Sequence, residues 1–190
     1  MSGDSVLWRR LDRLGMEVAG FDHGNPNWHL HGTVLVEDSG NLCRLEYAVV
    51  CDSAWRTLWA RITGWVGSTQ VNQRVARTPS GEWRQNGLVC PAVQGCLDVD
   101  LAFTPLTNLL PIRRLDLAIG AAAPVRAAWL RFPDFNLVPL EQVYTRQAEH
   151  RYRYESDGGR FAAELEVDNA GLVLRYGDLW VAETAWRHRT

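Results

Sequence analysis

Apolar and polar residues alternate with a period of two along most of this chain. That period belongs to strands, whose side chains point by turns to opposite faces. Cys43 to Cys51 sets Cys43, Leu45, Tyr47 and Val49 on one face, and Thr33 to Glu37 just before it is rich in β-branched residues. Asp38-Ser39-Gly40-Asn41 between them has turn chemistry, so the pair is expected to form a hairpin. Trp55 to Val66 places Leu58, Ala60 and Ile62 against Thr57, Trp59, Arg61, Thr63 and Trp65, which predicts a strand with large aromatics over its second face. Gly67 to Arg77 alternates more weakly, and Thr78-Pro79-Ser80-Gly81 turns it onto a further strand from Glu82 to Val89.

The sharpest alternation lies further on, in G-C-L-D-V-D-L-A-F-T-P-L-T-N-L-L-P-I-R-R-L from Gly95 to Leu115. Leu97, Val99, Leu101 and Phe103 fall on one face of a strand, and Asp98 and Asp100 on the other, their α-carbons about 7 Å apart. Pro105, Asn108 and Pro111 then break the rhythm, and Leu106, Leu109 and Leu110 predict one or two helical turns over Thr104 to Leu115. Extended patterning returns over Leu115 to Ile119, Val125 to Phe132 and a long Val143 to Tyr154, which sets Tyr144, Ala148, Tyr152 and Tyr154 on one face. Phe161 to Val167, an Asp168-Asn169-Ala170-Gly171 turn and Leu172 to Tyr176 complete a meander. Many short strands with little amphipathic helix predict a β-sandwich, barrel or rolled sheet, whose curvature can leave a ligand cavity.

The 190 residues suit one domain, and no Gly/Ser/Pro-rich stretch divides them. A net charge of −2 lacks the basic excess typical of nucleic-acid binding, so no nucleic-acid partner is expected. No run of apolar residues is long enough for a transmembrane helix, and charges at Arg9, Arg10, Asp12, Arg13 and Glu17 interrupt the apolar start that an export signal needs. A cytoplasmic location follows as the expectation, with Cys43, Cys51, Cys90 and Cys96 as reduced, small apolar residues. All 20 basic residues are arginine, so lysine-dependent Schiff-base and Walker-A chemistry loses its required side chain. Any anion held by a side chain is held by arginine or histidine. Nine tryptophans offer rings that fill a core, line a cavity or stack on sugars.

Candidate chemistry centres on Asp98 and Asp100, two carboxylates on one face that can divide acid and base roles, or simply form a solvated strand face. Arg113 and Arg114 are close enough to fold back onto them, where a bidentate ion pair fixes the turn or the arginines hold a ligand anion. His29 and His31 share a strand face with His23 nearby, but no acid or cysteine completes a metal spacing, and neither metal nor organic cofactor is expected. No nucleophile-elbow, dinucleotide or paired C-x-x-C motif occurs.

The Gly95–Leu115 run resembles the signature of a bacterial family of unknown function now called "putative glycolipid-binding". Y-A-V-V-C-D-S-A-W at Tyr47–Trp55, G-E-W-R-Q-N-G at Gly81–Gly87 and V-D-N-A-G-L-V-L-R-Y at Val167–Tyr176 extend the likeness over most of the chain. The resemblance implies a mainly β, single-domain fold: a long antiparallel sheet rolled into an open barrel, similar to lipoprotein carriers, with one or two short helices and a hydrophobic cavity. The expected function is binding of a glycolipid or other amphipathic ligand. Trp55, Trp59 and Trp129 would enclose its apolar part, and Asp98, Asp100, Thr104, Asn108, Arg113 and Arg114 its head. Two alternatives stand beside it. One is an enzyme of unknown reaction built on Asp98, Asp100 and Arg113 with His29 or His31, and the other is an interaction domain without a small ligand.

Overall fold

The computed structural model describes residues 4–186, and in them fifteen strands form one sheet that does not close on itself. They are β1 (Asp4–Arg10), β2 (Gly15–Gly24), β3 (Asn27–Asp38), β4 (Asn41–Cys51), β5 (Thr57–Val66), β6 (Thr69–Arg77), β7 (Trp83–Gln85), β8 (Leu88–Val89), β9 (Val99–Leu101), β10 (Ala122–Leu130), β11 (Leu137–Ala148), β12 (Arg151–Ser156), β13 (Phe161–Val167), β14 (Val173–Tyr176) and β15 (Trp180–Trp186). Spatially the sheet runs from β8 back to β1, crosses to β15, and runs back again to β9. Two meanders are therefore joined where β1 pairs antiparallel with β15. The predicted mainly β, rolled architecture is what forms. Its antiparallel rule holds for every pair among the described residues except β9, which lies parallel to β10 because the chain reaches it by a crossover.

The two edge strands, β8 and β9, follow one another in sequence. Their connection crosses to the start of β5, where Thr57 N–H donates to the Leu97 carbonyl and Val99 N–H donates to Thr57 Oγ1, each at 2.9 Å. The indole of Trp83, fully buried, donates to the Cys96 carbonyl at 2.9 Å and fixes the same connection to β7. After β9, a 3-10 turn (Leu106–Asn108) leads into helix α1 (Leu109–Leu115). Leu106, Leu109 and Leu110 are buried in the main core with Val6, Trp8, Leu30, Leu45 and Phe103, so this segment fills the concave side of the sheet. Each such leucine contributes about 1.5–3 kcal/mol by leaving water. The helix stops at Asp116, whose left-handed φ of 42° ends the repeat.

The predicted 33–37 and 43–51 hairpin forms with its turn at Ser39-Gly40, and Cys43, Leu45, Tyr47 and Val49 are buried as their spacing requires. Four expectations need correction. Trp55 is not in a strand: its φ is 63° in the turn before β5, and its ring is buried against Trp28 at 4.3 Å, nearly parallel. Glu82 to Val89 folds into the tight β7–β8 hairpin because Asn86 and Gly87 both take positive φ. The 115–119 stretch is the end of α1 and a loop, since Asp116 turns the chain before extended structure resumes at Ala122. The long strand from Val143 to Tyr154 is the β11–β12 hairpin, turning at Glu149-His150, a pair that carries no turn signal. Its register sets Tyr144 opposite Tyr154, so the expected tyrosine face survives across two strands, with Tyr144, Tyr152 and Tyr154 all buried.

Candidate functional site

Strand β2 inverts the usual pattern. Met16 and Val18 are exposed, while Glu17 between them points inward and is 1% exposed. Pairing places it in an inward row between Trp8 on β1 and Val34 on β3, both buried. Tyr47 reaches it from β4 by lying across Gly32, where a Cβ would come within 2.6 Å of the phenol oxygen. Tyr47 donates to Glu17 Oε1 at 2.5 Å, Thr104 Oγ1 donates to the same oxygen at 2.6 Å, and Oε2 is buried with no partner. Burial pushes this carboxyl up to about 8, against the lowering pull of its two hydroxyl donors and of Arg10. At neutral pH Glu17 is therefore held largely as the uncharged acid.

The two aspartates of the central motif do not form an exposed acid face, because residues 104–115 fold over them. Asp98 is 1% exposed and meets Arg114 through a bidentate pair, Nε to Oδ1 at 3.0 Å and a second bond to Oδ2 at 2.5 Å. Desolvation raises the Asp98 carboxyl, and Arg114 opposes the rise. Asp100 accepts from Gln142 Nε2 at 2.6 Å, with Thr107 Oγ1 further off at 3.5 Å. Burial moves it up to about 6, the hydrogen bonds pulling the other way. Asn108 accepts from the Tyr144 hydroxyl at 2.8 Å and donates to the Pro105 carbonyl at 3.0 Å, which anchors the start of α1 to β11.

A cleft of about 590 Å³ opens beside Asp100. Leu101, Trp129, Pro139, Leu140, Phe161, Leu179 and Trp180 give it an apolar wall, and Arg10, Asp100, Thr104, Asn108, Tyr154, Ser156, Asp157 and Tyr176 a polar one. Four of the nine expected site residues meet here: Asp100, Thr104, Asn108 and Trp129. The other five lie elsewhere. Asp98 and Arg114 are spent on each other, Arg113 is exposed with its guanidinium 5.4 Å from the Trp55 ring, and Trp59 sits partly buried on β5. The polar cluster of Asp98, Asp100 and Arg113 is thus not assembled. His29 and His31 do not line the cleft; His31 is exposed with Asp22 3.9 Å away. Among the described residues no group of three His, Cys, Asp or Glu side chains is placed to hold a metal. Glu17 escaped the sequence reasoning, because the apolar Met16 and Val18 that flank it are the exposed residues of β2.

These features define a barrel-like β protein, one sheet curled around a helix-filled core with a mixed cleft at its side. The family described as "Putative glycolipid-binding" matches residues 5–182, and the chain belongs to it. Among solved structures it is similar to a DUF1089 family protein from Pseudomonas aeruginosa, at 31% identity and a TM-score of 0.79, over 87% of this chain and 90% of that one. It also shares its fold with a beta-barrel-like protein of the domain of unknown function DUF1849 from Brucella abortus, at 8% identity and a TM-score of 0.60, over 100% of this chain and 99% of that one. No curated protein matches the chain. Among the described residues no helix is long and apolar enough to cross a membrane.

Proposed function

We propose that this chain binds one amphipathic ligand, a glycolipid or a lipid-like relative, in the cleft between Asp100 and Trp129. The observation that carries this reading is the division of the cleft into an apolar, aromatic wall and a polar one. An acyl segment against Trp129, Leu140, Phe161 and Trp180 would gain roughly 25 cal/mol for each Å² of apolar surface removed from water. Hydroxyls of a head group would meet Asp100, Thr104, Asn108 and Ser156, all on the cleft lining. The size lies within the range of about 300–1,000 Å³ usual for small-molecule sites. It suits a head group with part of one chain, so the rest of a long lipid would extend outside. Arg113 and Arg114 have no part in this reading, since neither lines the cleft.

Native mass spectrometry of protein purified without detergent, followed by organic extraction, tests it. A stoichiometric lipid or glycolipid, lost when Trp129 is replaced by Asp, is the expected result. Retention of the same lipid by W129D would place the ligand elsewhere and overturn the assignment.

A further inference from the structure

We infer that the polar end of this cleft selects head groups that donate hydrogen bonds and carry no negative charge, with Asp100 as the accepting group. The inference rests on the cleft being the binding site and names the class of head group that site takes.

The charges around the cleft run against an anion. Asp100 and Asp157 line it, and Arg10 is the one cation among the lining residues. Arg10 is already engaged: it donates to both oxygens of Asp12, at 2.8 and 2.9 Å, and its guanidinium stacks 4.8 Å from the Trp180 ring. The paired arginines that would have gripped a carboxylate or phosphate lie outside, one on Asp98 and the other over Trp55. A carboxylate or phosphate head would therefore meet Asp100 without a free cation to offset it, in a partly desolvated place where like charges repel more than in water.

Acceptor capacity, by contrast, is unused. Asp100 holds one close donor, Gln142, and one distant one, Thr107, while an ionised carboxylate offers about four lone-pair sites. Thr104 lines the cleft with one side and donates to Glu17 Oε1 with its hydroxyl. Hydroxyl donors on a ligand fill the remaining sites, and a hydrogen bond to the ionised Asp100 is of the strong, charge-assisted kind.

Two probes with the same chain and different heads separate the possibilities: n-octyl β-D-glucoside and sodium octanoate, titrated calorimetrically into the full chain at pH 7.5 below their micellar concentrations. The glucoside is expected to bind at least tenfold more tightly than octanoate. Asp100→Asn should narrow that ratio at least threefold by admitting octanoate. Octanoate binding as tightly as the glucoside overturns the inference and leaves the amphipath reading standing. A preference that Asp100→Asn does not move overturns the assignment to Asp100. No binding of either probe sinks the binding site and the inference together. The wild-type ratio carries the test by itself if the Asp100 variant does not fold.

Discussion

Glu17 gives the molecule an unusual dependence on pH. In the unfolded chain its carboxyl titrates near the ordinary 4.5, whereas burial moves it to about 8 in the fold. Between those values the folded protein holds a proton that the unfolded chain has released, so stability falls as pH rises through this window and levels off above it. The size of the effect is roughly 3 kcal/mol by pH 7. Asp100, raised to about 6, acts in the same direction at the lower end of the window. Glu17→Gln keeps the shape of the protonated acid and removes the titration. Urea denaturation at pH 5 and pH 8 should show the wild type losing several kcal/mol more than the variant, and equal losses would remove Glu17 from this role. Gly32 belongs to the same site through a different force. A methyl group there meets the Tyr47 ring at 2.6–2.7 Å, so Gly32→Ala must displace the phenol from Glu17. The expected cost is about 1–3 kcal/mol, the usual range for an overfilled core, measured as a lower denaturation midpoint.

At the level of elements, the ion pair between Asp98 and Arg114 fastens α1 to the strand before it. Arg114→Ala strands a buried carboxylate and should cost about 3–5 kcal/mol. Replacing both partners by apolar residues, Asp98→Leu with Arg114→Met, should restore most of that loss, because neither charge is then left unpaired. A double variant no more stable than Arg114→Ala would mean the pair does more than hold the turn. This segment was also the most legible part of the chain. The alternation of Leu97 to Phe103, the break at Pro105 and the leucines of α1 each announce their local structure. What the spacing could not tell was the partner of each arginine, since Arg113 and Arg114 are adjacent and point to opposite surroundings, nor that residues 104–115 would cover both aspartates. Strand β2 was opaque for a related reason. Its exposed Met16 and Val18 alternate with a buried glutamate, so polarity reports the wrong face. Trp129 and Asp100 were both in view as residues. Their meeting depends on the register of β9 against β10, a long-range pairing that no local pattern encodes.

The whole molecule hangs on the seam between its first and last strands. β1 pairs with β2 on one side and β15 on the other, and the buried indole of Trp8 donates to the Val173 carbonyl at 2.9 Å across that seam. The main core takes side chains from both meanders, Leu30, Leu45 and Ile62 from one and Ala128, Leu130 and Trp180 from the other, with Leu106 to Leu110 between them. The second meander adds a cluster of its own, Val125, Ala127, Tyr144, Tyr154 and Leu165 around Ile112, whereas the first shares all of its core with the rest of the sheet. A chain ending at Gly177 loses β15, exposes the edges of β1 and β14, and removes both Trp180 from the cleft wall and the ring under Arg10. Unpaired edges of this length template association with other chains. The truncated protein should therefore lose the cooperative urea transition of the full chain and elute as aggregate in size-exclusion chromatography. A monomer with an intact, cooperative first meander would instead show that the two halves fold separately. In that case the cleft, whose lining comes from β1 and from β9 to β15, would be an interface between two domains, and its ligand affinity would depend on how firmly they are held together.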